Sequence, residues 1–122
     1  MVQLLTRLKV ADSSGARIVK CIKVLGPYKK KTAHIGDRVV VVLKNVDPKK
    51  KKVSKGAIRR ALVVRSGQRF SRAPGIFIKF GENACVIINR KNVPVTNRLK
   101  GPILRETCLR YPGLGSIATY IL

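Results

Sequence analysis

The sequence predicts a mostly β protein in which five or six short strands form a closed antiparallel barrel. Apolar residues recur with a period of two in short runs rich in Val and Ile, and Gly, Pro, Asp and Asn separate these runs. No long helical pattern lies between the runs, which argues against alternating strand–helix units. A closed barrel also removes the exposed edges that Val-rich strands would otherwise present to other chains.

Six segments carry this strand pattern. They are residues 4–10, 17–25, 38–46, 57–65, 76–80 and 84–89. Turn-forming residues lie between them, such as the Asp-Ser-Ser-Gly stretch at 12–15 and the Pro-Gly pair at 74–75. The run of four valines at 39–42 predicts that the third strand is buried on both faces for part of its length.

The last part of the chain has a different pattern. The Gly-Pro pair at 101–102 suits the start of a helix, because Pro lacks an N–H that would be unpaired at the first helical position anyway. Residues 103–110 would then form two turns, with Glu106 and Arg110 at the favourable i, i+4 spacing. The Pro-Gly pair at 112–113 would end the helix.

The tail at 111–122 carries no charged side chain, although the rest of the chain is densely charged. It is too short to span a bilayer, so we expect it to pack against protein. Either it folds back on the barrel through Ile117, Tyr120 and Ile121, or it docks on a neighbouring protein.

Positive charge dominates the composition. Lys and Arg number 27 and Asp and Glu only five, so the formal net charge is +22 over 122 residues. A compact body with this charge repels itself, and the usual partner is a polyanion whose phosphates replace released counterions. A membrane surface would instead favour a basic amphipathic helix or a basic cluster beside an anchor, and the sequence has neither. We therefore expect a nucleic acid partner and no membrane.

The cations fall into clusters at 29–31, 49–60, 65–72 and 90–100. Arginines can bind a phosphate through two N–H groups at once, whereas lysines act mainly as point charges. Aromatic residues make up only 5% of the chain, which argues against stacking of single-stranded bases. One run of lysines is often only a solvated loop, but several clusters together indicate recognition of a folded RNA through its backbone and shape.

The sequence offers little for catalysis or metal binding. The five carboxylates lie mostly at turns, and the single histidine, His34, lies in a polar loop. The three cysteines share no short spacing, and a zinc site needs about four ligands; Cys21 and Cys85 lie in apolar runs where a reduced thiol acts as a small hydrophobe. We expect no metal, no cofactor and no enzymatic activity. Two alternative functions can be distinguished by experiment. An RNA-processing enzyme would lose its turnover when Asp37 or His34 is substituted. A free RNA-binding module would not sediment with a large particle.

Three groups of motifs resemble the L-fourteen family of large-subunit ribosomal proteins. The first group is 6–17 and 21–26, the second is 61–65 with Pro74, Gly75, Phe80, Asn83 and 86–88, and the third is 94–98 and 101–106. The resemblance extends over nearly the whole chain up to Arg110.

This resemblance implies a five-stranded antiparallel barrel with a β-ribbon and a short helical C-terminal part. We find no internal boundary and expect a single domain, residues 1–122, with the barrel at 1–100 and the helical segment and tail at 101–122. Members of the family are structural constituents of the large ribosomal subunit that bind its rRNA and form intersubunit bridges with small-subunit rRNA during translation. The implied partners include large-subunit ribosomal proteins three and nineteen and, in bacteria and organelles, a ribosome silencing factor.

Carried onto this sequence, the resemblance and the clusters divide the cations into two sets. The predicted rRNA-binding set is Arg17, Lys29, Lys30, Lys31, Lys44, Lys49, Lys50, Lys51, Lys52, Lys55, Arg59, Arg60, Arg65, Arg69 and Arg72. The predicted intersubunit-bridge set is Arg98, Lys100, Arg105 and Arg110.

Departures from the family pattern point to an organelle. Pro74 stands where Asp, Asn or Ser usually precedes Gly75, Asn97 replaces a Thr common in bacterial members, and the tail at 111–122 differs from the bacterial helix. With the high charge, these departures indicate a mitochondrial ribosome, with a plastid or the bacterial cytoplasm as alternatives. The first residues resemble neither a secretory signal nor a long transit peptide, so we expect a protein made where it works or one that has lost its targeting segment.

Overall fold

The computed structural model describes residues 2–26, 30–50 and 53–122, in which nine strands and two short helices follow one another. The elements are β1 (Arg7–Val10), β2 (Ala16–Val24), β3 (Arg38–Val46), β4 (Ile58–Arg65), β5 (Phe70–Arg72), β6 (Ile76–Ile78), β7 (Ala84–Ile88), β8 (Pro102–Ile103), α1 (Arg105–Arg110), α2 (Pro112–Gly115) and β9 (Tyr120–Ile121). Five strands close into a barrel in the order β1-β2-β3-β4-β7. β5 and β6 form a ribbon, and β8 pairs with β9. The predicted fold class is confirmed.

One seam of the barrel corrects the prediction that all neighbours are antiparallel. Four pairs of neighbouring strands are antiparallel, but β1 and β7 are parallel, with Lys9 opposite Ala84 and Val10 opposite Cys85. A closed ring with an odd number of strands cannot reverse direction at every step, so one pair must be parallel. The barrel is therefore mixed.

The barrel strands follow the predicted alternation closely except at the N-terminal end. β3 has its predicted bounds, and the ends of β2, β4 and β7 differ from the prediction by at most one residue. β1 begins only at Arg7, because Leu5 has a φ of 69° that no strand allows, and Leu4 and Leu5 are exposed. β6 ends at Ile78 rather than at residue 80, and its partner β5 was not predicted.

Two apolar clusters hold the barrel strands in place. The inner cluster fills the barrel and includes Leu8, Val19, Cys21, Val39, Val41, Leu43, Val63, Cys85 and Ile87. The outer cluster covers the outer face of β4 and β7 and includes Leu62, Val64, Val86, Ile88, Leu99, Ile103 and Leu114. β7 is buried along its whole length because each of its faces lies against one cluster. β3 has only one fully buried face, since Val40 and Val42 are half-buried, and the prediction of burial on both faces is wrong there.

An extended segment, β8, replaces the predicted helix start. Pro102 and Ile103 are extended, and α1 begins only at Arg105, after Leu104 with a ψ of 144°. The backbone bonds of Leu122 account for this conformation: its N–H donates to the Ile103 carbonyl at 2.9 Å, and its carbonyl accepts the Arg105 N–H at 3.2 Å. The helix prediction is therefore right only from Arg105 onward. No helix within the described ranges is long and apolar enough to cross a bilayer.

The tail folds back on the barrel, as one of the two alternatives predicted, and of the three residues named for this contact only Ile117 makes it. Leu114 is fully buried in the outer cluster, and Ile117 and Ala118 pack against that cluster. Tyr120 and Ile121, which were expected to make the contact, remain 65% and 45% exposed. The C-terminal part of the chain, residues 101–122, thus covers β4 and β7 and is called the lid below. Some apolar residues of the lid remain exposed.

Two leucines of this lid give a matched test of its packing. Leu114→Ala should lower the free energy of unfolding by about 2–5 kcal/mol, because the substitution leaves a cavity in the outer cluster. Leu109→Ala, the same change at a residue that is 77% exposed, should change it by less than about 0.5 kcal/mol. Urea unfolding monitored by circular dichroism measures both values. Equal effects of the two variants would show that the lid does not pack on the barrel.

Candidate RNA-binding surface

Groups of the same chain engage all five carboxylates. Four form ion pairs: Asp37 with Lys30 at 2.9 Å, Asp47 with Arg17 at 3.5 Å, Glu82 with Lys9 at 2.9 Å and Arg65 at 3.3 Å, and Glu106 with Arg72 at 2.6 Å. The fifth, Asp12, is buried and accepts the backbone N–H groups of Ser14 and Ile87, each at 3.0 Å. The hydrogen bond from Lys9 lowers the pKa of Glu82, and the one from Arg72 lowers the pKa of Glu106. Both carboxylates are therefore ionised at neutral pH.

Most lysines and arginines are left without a carboxylate partner. Within the described ranges, the exposed cations with no carboxylate oxygen within 4.0 Å are Arg7, Lys23, Lys31, Lys44, Lys49, Lys50, Lys55, Arg59, Arg60, Arg69, Lys79, Arg90, Lys91, Arg98, Lys100, Arg105 and Arg110. No carboxylate in the described ranges compensates their mutual repulsion, so an external polyanion would be strongly attracted.

The lysine loop, residues 47–57 between β3 and β4, holds the densest group. Asp47 fixes its start: the carboxylate accepts the Lys49 N–H at 3.0 Å, and the Asp47 N–H donates to the Gly15 carbonyl at 2.7 Å. Val53 anchors the loop in the inner cluster. The described cations of the loop and of the neighbouring strand ends are exposed, and they are Lys44, Lys49, Lys50, Lys55, Arg59 and Arg60. Lys51 and Lys52, also predicted to bind RNA, lie outside the described residues.

A cleft of about 390 Å³ connects this loop with β1 and β2. The cations that line it are Lys9, Arg17, Lys50 and Lys100, beside Asp12 and Asp47. Gly15 makes the arrangement possible, since it has a φ of 101° and any Cβ there would lie 2.8 Å from the Cβ of Lys50. The structure thus brings Arg17 and Lys50 of the predicted rRNA set together with Lys100, which was predicted for the bridge.

Only part of the cluster at 29–31 is available to a partner. The side chain of Lys30 is 27% exposed and is bound to Asp37, which also accepts the His34 backbone N–H at 2.8 Å. Lys31 is exposed. Lys29 lies outside the described residues.

The structure corrects the prediction for Arg65, which is only 7% exposed. Its Nη1 donates to the carbonyls of Lys100 at 2.8 Å and Pro102 at 3.3 Å, and its Nη2 donates to Glu82 at 3.3 Å. Gly101 lies directly against this guanidinium, with only 2.6 Å between Nη1 and the position of a Cβ. Arg65 therefore fastens the C-terminal part to the end of β4.

The ribbon carries the last two predicted rRNA-binding arginines. Arg69 is exposed, and its guanidinium lies 4.8 Å from the centre of the Phe77 ring. Arg72 is half-buried: it pairs with Glu106, and its Nη2 donates to the Leu122 carbonyl at 3.0 Å. Arg69 remains available to RNA, whereas Arg72 mainly holds the ribbon against α1.

The predicted bridge residues are all exposed but occupy different places. Arg105 and Arg110 lie at the two ends of α1, and Arg98 lies in the loop before Lys100. The i, i+4 spacing predicted an ion pair between Glu106 and Arg110, but these two side chains do not pair. The Arg110 guanidinium lies 5.5 Å from the centre of the Tyr111 ring, while Glu106 binds the ribbon.

Comparison with known families decides what kind of protein carries this surface. The whole chain, residues 1–122, matches the sequence model of the family described as ribosomal protein L14p/L23e. The chain belongs to this family. The resemblance inferred from the motifs is confirmed, and this L14p/L23e protein is a structural constituent of the large ribosomal subunit, in a family that is structural rather than enzymatic.

The cysteines of this L14p/L23e protein are packing residues. Cys21 and Cys85 lie in the inner cluster, and burial raises the pKa of both thiols, so they are neutral and unreactive. Burial also raises the pKa of the half-buried Cys108 thiol. Within the described part of the chain, no three His, Cys, Asp or Glu residues form a group that could hold a metal ion. The exposed ring of His34 lies 2.9 Å from the Gln68 side chain.

Several exposed cations were not in either predicted set. They are Arg7, Lys9, Lys23, Lys79, Arg90 and Lys91. On β1 the signal was the alternation itself, which places Arg7 and Lys9 on the outer face. On β2 the alternation groups Lys23 with the buried Val19 and Cys21, and a register shift between Cys21 and Lys23 turns Lys23 outward instead. Arg90 and Lys91 belonged to a recognised charge cluster, but only the fold shows that they follow β7 beside β4.

Two arginines of the predicted set should behave oppositely when substituted. Arg65→Gln should lower the free energy of unfolding by about 2–4 kcal/mol, because two backbone carbonyls lose their donor, whereas Glu82 keeps Lys9 as its partner. Arg69→Gln should lower it by at most about 1 kcal/mol, the strength of an exposed cation–π contact. Chemical denaturation compares the variants. A small effect of Arg65→Gln would contradict its internal role.

Proposed function

We propose that this L14p/L23e protein binds large-subunit rRNA by placing its exposed cations against RNA phosphates. The observation that carries the proposal is the use of all five carboxylates inside the chain, which leaves a broad surface of unpaired cations. Each phosphate that a lysine or arginine neutralises releases counterions from the RNA, and this release adds to affinity. The lysine loop is the centre of this surface, because its cations are dense and its backbone is held by Asp47 and Val53.

The cleft is the second contact in this proposal. Lys9, Arg17, Lys50 and Lys100 approach one another there from β1, β2, the lysine loop and the segment before β8. Asp12 and Asp47 offset part of this charge, and a ligand with negative charge would relieve the rest. Asp47 pairs with Arg17 at 3.5 Å, a long and exposed contact that contributes little by itself. The cleft suits a phosphate of the RNA backbone, with Lys100 assigned to large-subunit rRNA rather than to the bridge.

Contact with small-subunit rRNA is the second proposed role. Arg105 and Arg110 are exposed at the ends of α1, and α1 is held by the Arg72–Glu106 ion pair, by β9 and by burial of Thr107. A fixed helix that presents two arginines fits a bridge that forms and breaks with each round of translation. Arg98 is the third member of the proposed bridge surface.

The open apolar residues support docking of other ribosomal proteins on the lid and the ribbon. They are Ile76, Phe77, Leu109, Tyr120, Ile121 and Leu122. Large-subunit proteins three and nineteen and a silencing factor are the proposed occupants, as family membership implies. We place the protein in a mitochondrial ribosome on the sequence departures at Pro74 and Asn97 and in the tail. Its cosedimentation with large subunits from mitochondria, rather than from plastids or a bacterial cytoplasm, tests that location.

Removal of the lysine loop charges should weaken RNA binding and flatten its salt dependence. In a Lys49→Ser, Lys50→Ser, Lys55→Ser variant, the slope of log affinity against log salt should fall in magnitude by about 2–3, close to one unit per lost phosphate contact. The matched control is Lys20→Ser, Lys23→Ser, Lys79→Ser, which removes equal charge elsewhere. Fluorescence anisotropy with an rRNA fragment measures both slopes. Equal losses in the two variants would mean that only net charge matters.

Substitution of the bridge arginines should impair subunit joining more than subunit assembly. With Arg98→Ala and Arg105→Ala together, large subunits should incorporate the protein normally, while their association with small subunits should require more magnesium. Sucrose-gradient profiles across a magnesium series report both properties, with Arg69→Ala as a single-charge control on the ribbon. Parallel loss of incorporation and joining would contradict a separate bridge surface.

A further inference from the structure

The outer face of the barrel is not covered over its whole extent. Leu62, Val64 and Val86 lie beneath the lid, but the same face continues beyond the edge of the lid, where Pro94 lies 3.4 Å from the position of a Cβ on Gly113. Val40, Arg60 and Ile88 form a row across three neighbouring strands, because Arg60 is paired with Val40 on one side and with Ile88 on the other. This row is the floor of a groove beside the lid.

The groove is lined by both apolar residues and arginines. It has a volume of about 480 Å³ and is lined by Val40, Ile58, Arg59, Arg60, Ile88, Asn89, Arg90 and Val95. Ile58 is 59% exposed and Val95 is 40% exposed, so apolar surface faces water on both sides of the floor. The volume lies within the range of about 300–1,000 Å³ that holds small organic ligands, and is too small for a helix of RNA or protein.

The loop that closes one end of the groove is rigid. The Asn89 Oδ1 accepts the backbone N–H groups of Lys91 at 2.9 Å and Val93 at 3.0 Å, and Arg38 donates to the side chain of Asn92 at 3.2 Å. These bonds fix the Asn89 side chain, and among the described residues its Nδ2 amide has no acceptor. The Asn89 amide is therefore a hydrogen-bond donor beside the apolar residues of the groove.

We propose that this groove binds one unpaired nucleotide of the RNA, with the base against Ile58, Ile88 and Val95 and the adjoining phosphates against Arg60 and Arg90. The inference rests on the proposed RNA-binding function and adds base recognition to it. A nucleotide supplies an apolar face, acceptors for the Asn89 amide and negative charge for the arginines in one unit. A protein segment would have to bring both an apolar residue and carboxylates to three arginines that have none within 4.0 Å in the described chain.

The test uses the full chain and three RNA hairpins of the same length. One carries a single bulged adenosine, one carries an abasic residue at the bulge, and one is fully paired. The bulged and abasic hairpins have the same phosphates, so their difference reports the base alone. Fluorescence anisotropy should give about tenfold tighter binding to the adenosine bulge than to the abasic bulge, as expected for burial of one base face. A 2-aminopurine base at the bulge should also change its emission on binding.

Two matched variants locate the effect. Ile58→Ser should bring the affinity ratio close to one, whereas Leu4→Ser, at a residue of similar exposure before β1 and outside the groove, should leave it at about ten. Both positions are more than half exposed, so the fold should tolerate either change.

Each other outcome overturns a defined statement. A wild-type ratio near one, with steep salt dependence for all three hairpins, overturns the nucleotide site and leaves the proposed function intact. Failure to bind any hairpin overturns both. If Ile58→Ser leaves the ratio of the two bulge affinities unchanged, the base binds elsewhere, and the assignment of the groove as its site is overturned. Sedimentation equilibrium showing a dimer that Ile58→Ser abolishes, without base preference, would assign the groove to a second copy of the chain.

Discussion

The imbalance between cations and carboxylates is the constraint on which the rest of this structure depends. The few carboxylates fasten one part of the chain to another: Glu106 holds the ribbon to α1, Asp47 starts the lysine loop, and buried Asp12 holds the chain after β1 against β7. No acidic group remains to neutralise the surface, so the free protein carries a field that only a polyanion can relieve. The few acids thus serve internal structure, and the many bases serve the partner.

The barrel strands could be predicted from the sequence because each is a short run rich in apolar residues between turn-forming residues. β1 and β2 also alternate, whereas β7 is apolar throughout. β3 matches its predicted bounds. The parallel pairing of β1 with β7 follows from the odd number of strands in the closed barrel alone. The C-terminal part could not be predicted in this way. Pro102 suits a helix start locally, but pairing of β8 with β9 extends it, and that pairing joins residues far apart in the sequence. Tertiary hydrogen bonds outweigh a local preference there.

The sequence predicts which cations belong to the candidate site, but it does not predict how the fold arranges them. The loop between β3 and β4 is recognisable from its lysines as the densest cationic segment of the chain. The burial of Arg65 is invisible in the sequence, because its acceptors arrive from residues 100 and 102 and from Glu82. The cleft and the groove are also products of folding, since each is lined by residues of distant segments. Charge patterns therefore predict the class of partner, while only the fold separates cations that are exposed from cations that hold the chain together.

The most direct measurement of the central claim compares lysine reactivity in the intact large subunit and in the isolated protein. Brief treatment with an amine-acetylating reagent, followed by mass spectrometry, reports each lysine separately. Lys49, Lys50, Lys55 and Lys100 should react at least about tenfold more slowly in the subunit, and ribonuclease digestion should restore their reactivity, because phosphates shield them. Lys30, already held by Asp37, should change least. Equal reactivity of the lysine loop in both states would contradict the account.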